Sequence, residues 1–167
     1  MSFKSTINNL ERNYDKKVIV KMSDMQKSFK SLPKNYKNLT IYEVFIKKFS
    51  PINIALTVLN AGTVNKELYM TRGHIHKKPS PEFYILLQGS ALLLIQKSSE
   101  VKTIKLKKEQ ITFVPENYAH RLINIGNKKL KVLTVYHKNS KPNYNVKFKK
   151  RFFKNKKIRL ALKEKFE

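Results

Sequence analysis

A chain of 167 residues has the size of one ordinary domain and can bury a core without staples. The absence of cysteine excludes a disulfide framework and a thiolate metal site, so any bound metal must use histidine and carboxylate. No apolar run approaches the ~18 residues of a membrane span and residues 1–7 carry no secretion-signal core, so a soluble cytoplasmic protein is expected. Taken in order, residues 2–13 form a polar lead-in and residues 18–20 a short β-branched strand. Ser23-Asp24 predicts the cap of a brief helical turn running to Phe29, ended by Pro33. From Thr40 the pattern turns to strands at 41–46, 52–59, 67–71, 83–87, 91–96, 101–106, 111–114, 122–125 and 130–136. Short strands spaced by about ten residues, with turn residues between them, predict an antiparallel sandwich or barrel. The tail from 146 predicts a strand near Phe152 and a helix over 157–166.

Lys and Arg number 36 against 11 Asp and Glu, a formal charge of +25. That balance ordinarily points to nucleic acid or an anionic membrane. Here the basic residues are mostly lysines scattered beside many Asn and Ile, and only 146–167 is dense, with ten Lys or Arg and two acids. The charge therefore reads as solvated surface, which argues against a nucleic-acid partner and leaves a positive field that attracts a phosphorylated small molecule.

The stretch with chemical content is Thr71-Arg72-Gly73-His74-Ile75-His76, followed by Glu82 and, later, by Ala119-His120-Arg121. Two histidines one residue apart face the same side of a strand. Three imidazoles and a carboxylate suit a divalent transition metal with open positions. Singly, each histidine could also be an ordinary strand or core residue. Arg72 is expected to point away from the histidine face as an exposed charge, and His137 to lie on the surface.

The ordered set of Ser23-Asp24-Met25, Tyr42-Glu43-Val44, Thr57-Val58-Leu59, the histidine motif, Glu82-Phe83-Tyr84, Val114-Pro115, His120 and Asn124-Ile125-Gly126 resembles the cupin-type, archaeal-type glucose-6-phosphate isomerases. The resemblance implies an all-β fold. It would comprise an N-terminal extension (1–35), one cupin domain (36–145), a jelly-roll barrel or double-stranded β-helix, and a basic C-terminal extension (146–167). It implies one divalent transition metal, iron, manganese, nickel or zinc, on His74, His76, Glu82 and His120. Thr57, Thr71 and Gly73 fall to the substrate's phosphate, and Tyr84, Tyr136 and Tyr144 to the sugar pocket. The implied reaction interconverts glucose 6-phosphate and fructose 6-phosphate, a step of glycolysis and gluconeogenesis, with Glu82 as base and Tyr136 as a second catalytic residue. Direct hydride transfer from C2 to C1 is the alternative mechanism. A homodimer is also implied. One departure stands out: where the family carries Gly-His-Asp-Tyr, this chain has Lys141-Pro142-Asn143-Tyr144. A metal cupin acting on another small anion, or a non-catalytic module binding sugar phosphate or nucleic acid, therefore remains open.

Overall fold

The computed structural model describes residues 9–154. Thirteen strands follow one another: β1 Lys16–Lys21, β2 Thr40–Lys48, β3 Ile52–Leu59, β4 Thr63–Val64, β5 Glu67–Leu68, β6 Ile75–His76, β7 Glu82–Gln88, β8 Ala91–Lys97, β9 Glu100–Lys105, β10 Ile111–Val114, β11 Ala119–Asn124, β12 Leu130–His137 and β13 Pro142–Asn143. One sheet has the order β1-β2-β3-β12-β7-β10; facing it are β11-β8-β9, with the short pairs β13-β6 and β4-β5. Bridges Met70 to Ile123 and His74 to His120 join the histidine segment to β11. All these ladders are antiparallel, and the architecture is an all-β jelly-roll barrel.

The central strands of the large sheet carry apolar residues on both faces. Leu59, Tyr84, Leu86 and Val132 point into the barrel core, while Leu56, Val58 and Leu133 form a second cluster with Phe45 and Leu10. Period-two alternation thus separates two apolar sets on the same strands. Register then grades the inner face along its length. Val132 pairs with Leu86, Thr134 with Tyr84 and Tyr136 with Glu82, so one end of the barrel is packed with hydrocarbon and the other is lined with hydroxyls and a carboxylate.

Three local features differ from the sequence reading. The helical turn is a 3₁₀ turn over Met22–Met25, and Asp24 lies inside it, where its carboxylate accepts a 2.8 Å hydrogen bond from Lys21 N–H. The strand expected over 67–71 stops at Leu68, because the chain from Met70 crosses to β11. Near Phe152 the expected strand is reduced to an isolated bridge: Leu68 N–H donates to Phe152 O at 2.9 Å, and Phe153 bridges to Glu67. The helix expected over 157–166 lies outside the described residues.

Glu67, 1% exposed, is the tail's anchor. It accepts from Lys30 N–H at 2.7 Å and from Arg151 Nη1 at 2.8 Å, and Arg151 also donates to Ser28 O. Removing one partner of a fully buried pair costs roughly 3–5 kcal/mol, but the Arg151 side chain keeps 35% exposure. Arg151→Ala should therefore cost about 2 kcal/mol, read as a lower urea midpoint with an unchanged slope.

Candidate active site

Each functional side chain is placed by backbone pairing. His74 and His120 exchange two main-chain hydrogen bonds, His74 N–H to His120 O at 3.1 Å and His120 N–H to His74 O at 2.8 Å, which brings their rings together. His76 lies two residues on in β6, and Glu82 opens β7. His120 Nε2 is 3.2 Å from His74 Nε2 and 3.0 Å from Glu82 Oε2, and His76 Nε2 is 3.4 Å from the same oxygen. The four ligand-type atoms all lie within 4.8 Å of one another, a group that could hold a metal ion.

The hydrogen bonds behind the rings decide which nitrogen faces inward. His76 Nδ1 meets Ser80 O at 2.9 Å and His120 Nδ1 meets Tyr118 O at 3.1 Å. A carbonyl only accepts, so Nδ1 carries the proton and the Nε2 lone pair points at the cluster, the usual arrangement behind a metal-bound imidazole. Glu82 Oε2 is buried and no hydrogen bond satisfies it. A carboxylate oxygen among converging lone pairs is costly without positive charge, so these residues fit a divalent cation.

Titration behaviour points the same way. Burial, reinforced by the His120 imidazole, pushes His74 down to about 3. Burial opposes the charge of Glu82, yet contact with His120 and His76 outweighs it and holds the carboxyl below the usual carboxylate range. Burial lowers His76, but Glu82 more than offsets this and raises it. The Glu82 carboxylate thus favours positive charge beside it, which a divalent cation would supply.

The cluster lies in a cavity of about 280 Å³, and every residue singled out from the sequence borders it, Thr57, Thr71, Gly73, Tyr84, Tyr136 and Tyr144 included. The Tyr144 ring lies 5.8 Å from the His74 ring and the Tyr84 ring 5.9 Å from that of His120. Burial, aided by the Glu82 charge, pushes Tyr136 up to about 12 and Tyr84 well above the ordinary phenol value, so both hydroxyls keep their protons at neutral pH. Thr71 Oγ1 accepts from Leu122 N–H at 3.1 Å, which leaves its own proton to donate. Gly73 adopts φ +72, and a Cβ there would fall 2.5 Å from the Phe148 ring, so this backbone can approach its surroundings only as glycine.

Sequence reasoning passed over Thr134 and Tyr42, which also line the cavity. Thr134 was legible, since it precedes Tyr136 by two on the same strand. Arg72 corrects an expectation: it lines the cavity instead of pointing away. Arg72 precedes His74 by two residues, the spacing that puts side chains on one side of an extended chain, so parity argues for this placement rather than against it. His137 is exposed as expected, its Nδ1 accepting from Asn139 N–H. Pro142 and Asn143 pair with His76 and Ile75, so the departure from the family pattern sits directly beside a ligand strand.

A jelly-roll barrel carrying three inward histidines and a glutamate at its open end is a cupin. The oxalate decarboxylase of Lactobacillus farciminis, in its formate complex, shares this fold with a TM-score of 0.52 and 23% identity, over 66% of this chain and 32% of that one. The family model for glucose-6-phosphate isomerase matches residues 15–159, and the chain belongs to that family. It is by family an isomerase. Among curated relatives, the glucose-6-phosphate isomerase of Pyrococcus abyssi is 33% identical over 133 residues, covering 72% of this chain and 70% of that protein. The Thermococcus kodakarensis enzyme of the same name is 33% identical over 132 residues, 72% and 69% of the two chains.

The cluster yields a direct test. Purified protein should carry about one divalent ion per chain, and replacement of His74 and His76 together should abolish it, because two of four donors are lost. Elemental analysis after gel filtration measures this, and full stoichiometry in the double variant would refute the ligand set.

Proposed function

We propose that the chain is a metal-dependent aldose–ketose isomerase that interconverts glucose 6-phosphate and fructose 6-phosphate in the cytoplasm, a step of glycolysis and gluconeogenesis. The observation that carries the reading is the unsatisfied Glu82 oxygen among three imidazoles, at one end of a cavity walled by protonated tyrosines and threonine hydroxyls. A divalent ion, iron, manganese, nickel or zinc, held by His74, His76, Glu82 and His120 would supply Lewis acidity toward the sugar's carbonyl oxygen.

The chain's own groups do the rest. Thr57, Thr71 and the Gly73 backbone hold the phosphate, and Tyr84 and Tyr144 wall the open-chain sugar. Glu82 takes the proton from C2 as the C2–H bond breaks, a C1–C2 double bond forms and O1 gains a proton. Tyr136, directly across the β7–β12 ladder from Glu82 and held in its protonated form, is placed to donate to that oxygen. Glu82 then returns its proton to C1 while the O2 proton passes to the Tyr136 phenolate and restores the phenol, and the ketone stands at C2.

A second reading, a metal cupin that acts on another small anion, is favoured by one observation: Pro142 occupies the cavity wall where the family pattern has histidine. Fructose 6-phosphate turnover, assayed with and without chelator, distinguishes the two.

Glu82→Gln keeps the size of the side chain and one acceptor oxygen but removes the charge. Turnover per bound metal should fall roughly 10²- to 10⁴-fold, the range of general acid–base catalysis. Metal content must be measured on the same sample. An intact per-metal rate would shift the mechanism to hydride transfer, whereas deuterium taken up from solvent into product would support the base.

A homodimer belongs to the same reading. The outer face beside edge strand β10 leaves Ile111 68%, Phe113 50% and Phe83 41% exposed, with the two phenylalanine rings 5.4 Å apart. Such a face suits a second copy of the chain. Phe113→Asp is expected to sediment as a monomer, and a dimer that survives it would locate the interface elsewhere.

A further inference from the structure

We infer that Arg72 is the charge contact for the substrate's phosphate and so determines the preference for a phosphorylated sugar, an assignment that rests on the isomerase reading above. Its guanidinium carbon lies 4.1 Å from the centroid of the Tyr144 ring, whose other neighbour is His74 at 5.8 Å. The cation is therefore one aromatic ring removed from the ligand cluster, inside the same cavity. A guanidinium resting on a ring spends its face on the π system and leaves its edge N–H donors for oxygen atoms. Those edges match the geometry of a phosphate.

Arg72 is held ready for this contact. Its N–H donates to Tyr42 Oη at 3.4 Å, and its carbonyl accepts from Nε and Nη2 of Arg121 at 3.2 and 2.6 Å. Arg121 is in turn buried under the Phe148 ring, 4.2 Å from its centroid. The main chain of Arg72 is thus fixed from both sides while its charge is left uncommitted: among the described residues it makes no ion pair with an acid. Among the described residues Glu82 is the sole acid on the cavity wall, and it belongs to the ligand-type cluster. The cavity consequently has two electrostatic ends, a ligand cluster for the carbonyl carbons and a preorganised cation for a dianion. Lys16, on the same wall, adds to the second. The scattered surface lysines attract any anion, whereas a stacked, backbone-pinned arginine selects one that reaches into the cavity.

The test uses the metal-loaded full chain. Arg72→Gln retains part of the stem and removes the charge. It should raise KM for fructose 6-phosphate, and the inhibition constant of inorganic phosphate against that substrate, by about 10- to 100-fold, the range for hydrogen bonds to charged groups. The effect on kcat should stay within about threefold, because the contact is made equally in ground and transition states. Metal content should be unchanged, and Arg72→Lys should recover part of the loss. Calorimetric titration with inorganic phosphate at high salt needs no turnover. Weaker phosphate binding in Arg72→Gln than in the parent supports the assignment even if the parent isomerises no hexose phosphate, a result that would overturn the isomerase reading alone. Equal phosphate affinity in the two proteins overturns the assignment of Arg72.

Discussion

The site depends on one placement, a glutamate carboxylate sealed in the barrel against three imidazoles. Glu82 is 5% exposed and its Oε2 has no hydrogen bond, which in a packed interior is a cost that some positive charge must offset. The surrounding geometry is arranged around that need. Carbonyls of Ser80 and Tyr118 turn two imidazoles so that their lone pairs face the carboxylate, and burial keeps His74 neutral. The tyrosines bordering the carboxylate hold their protons more firmly, first because burial disfavours a phenolate and then because ionisation of Tyr84 or Tyr136 beside Glu82 would put two negative charges in one low-dielectric space.

Rigidity reaches this cluster from outside it. Gln96 clamps the tail by donating to Lys147 O and accepting from Lys149 N–H, Phe148 lies against Arg121 and the Gly73 backbone, and Arg151 locks on buried Glu67. The tail that composition marks as a basic, solvated extension therefore packs, through residues 147–153, against the segment that carries His74. Its lysines face water while its phenylalanines, its backbone and Arg151 do the fastening, a division of labour typical of amphipathic segments. Arg121 connects the two, since its fork on the Arg72 carbonyl fixes the residue next to Gly73. A buried arginine whose hydrogen-bond acceptors are a carbonyl and a thioether, rather than a carboxylate, is pushed down to about 10 by burial, with Arg151 adding to the shift, and it stays charged at neutral pH.

Much of this was legible in the amino-acid sequence, for reasons specific to particular residues. The antiparallel barrel followed from short β-branched runs punctuated by turn residues, and the bounds of β3 and β10 coincide with the runs 52–59 and 111–114. The shared face of His74 and His76 followed from period-two geometry, and the absence of cysteine limited any ligand set to imidazole and carboxylate. The likeness to a known family added the order in which the four ligand-type residues occur. What tertiary structure alone decided are the relations that depend on long-range register and packing. Sequence spacing cannot show that Tyr136 stands opposite Glu82, because the β7–β12 register is set by packing more than forty residues apart and includes an irregularity at Lys131/Val132. Nor can it show that the Arg72 guanidinium rests on the Tyr144 ring inside the cavity, because that contact joins residues far apart in the chain. Local pattern determines which face a residue shares with its neighbours on the strand, and only the closed barrel determines what that face meets.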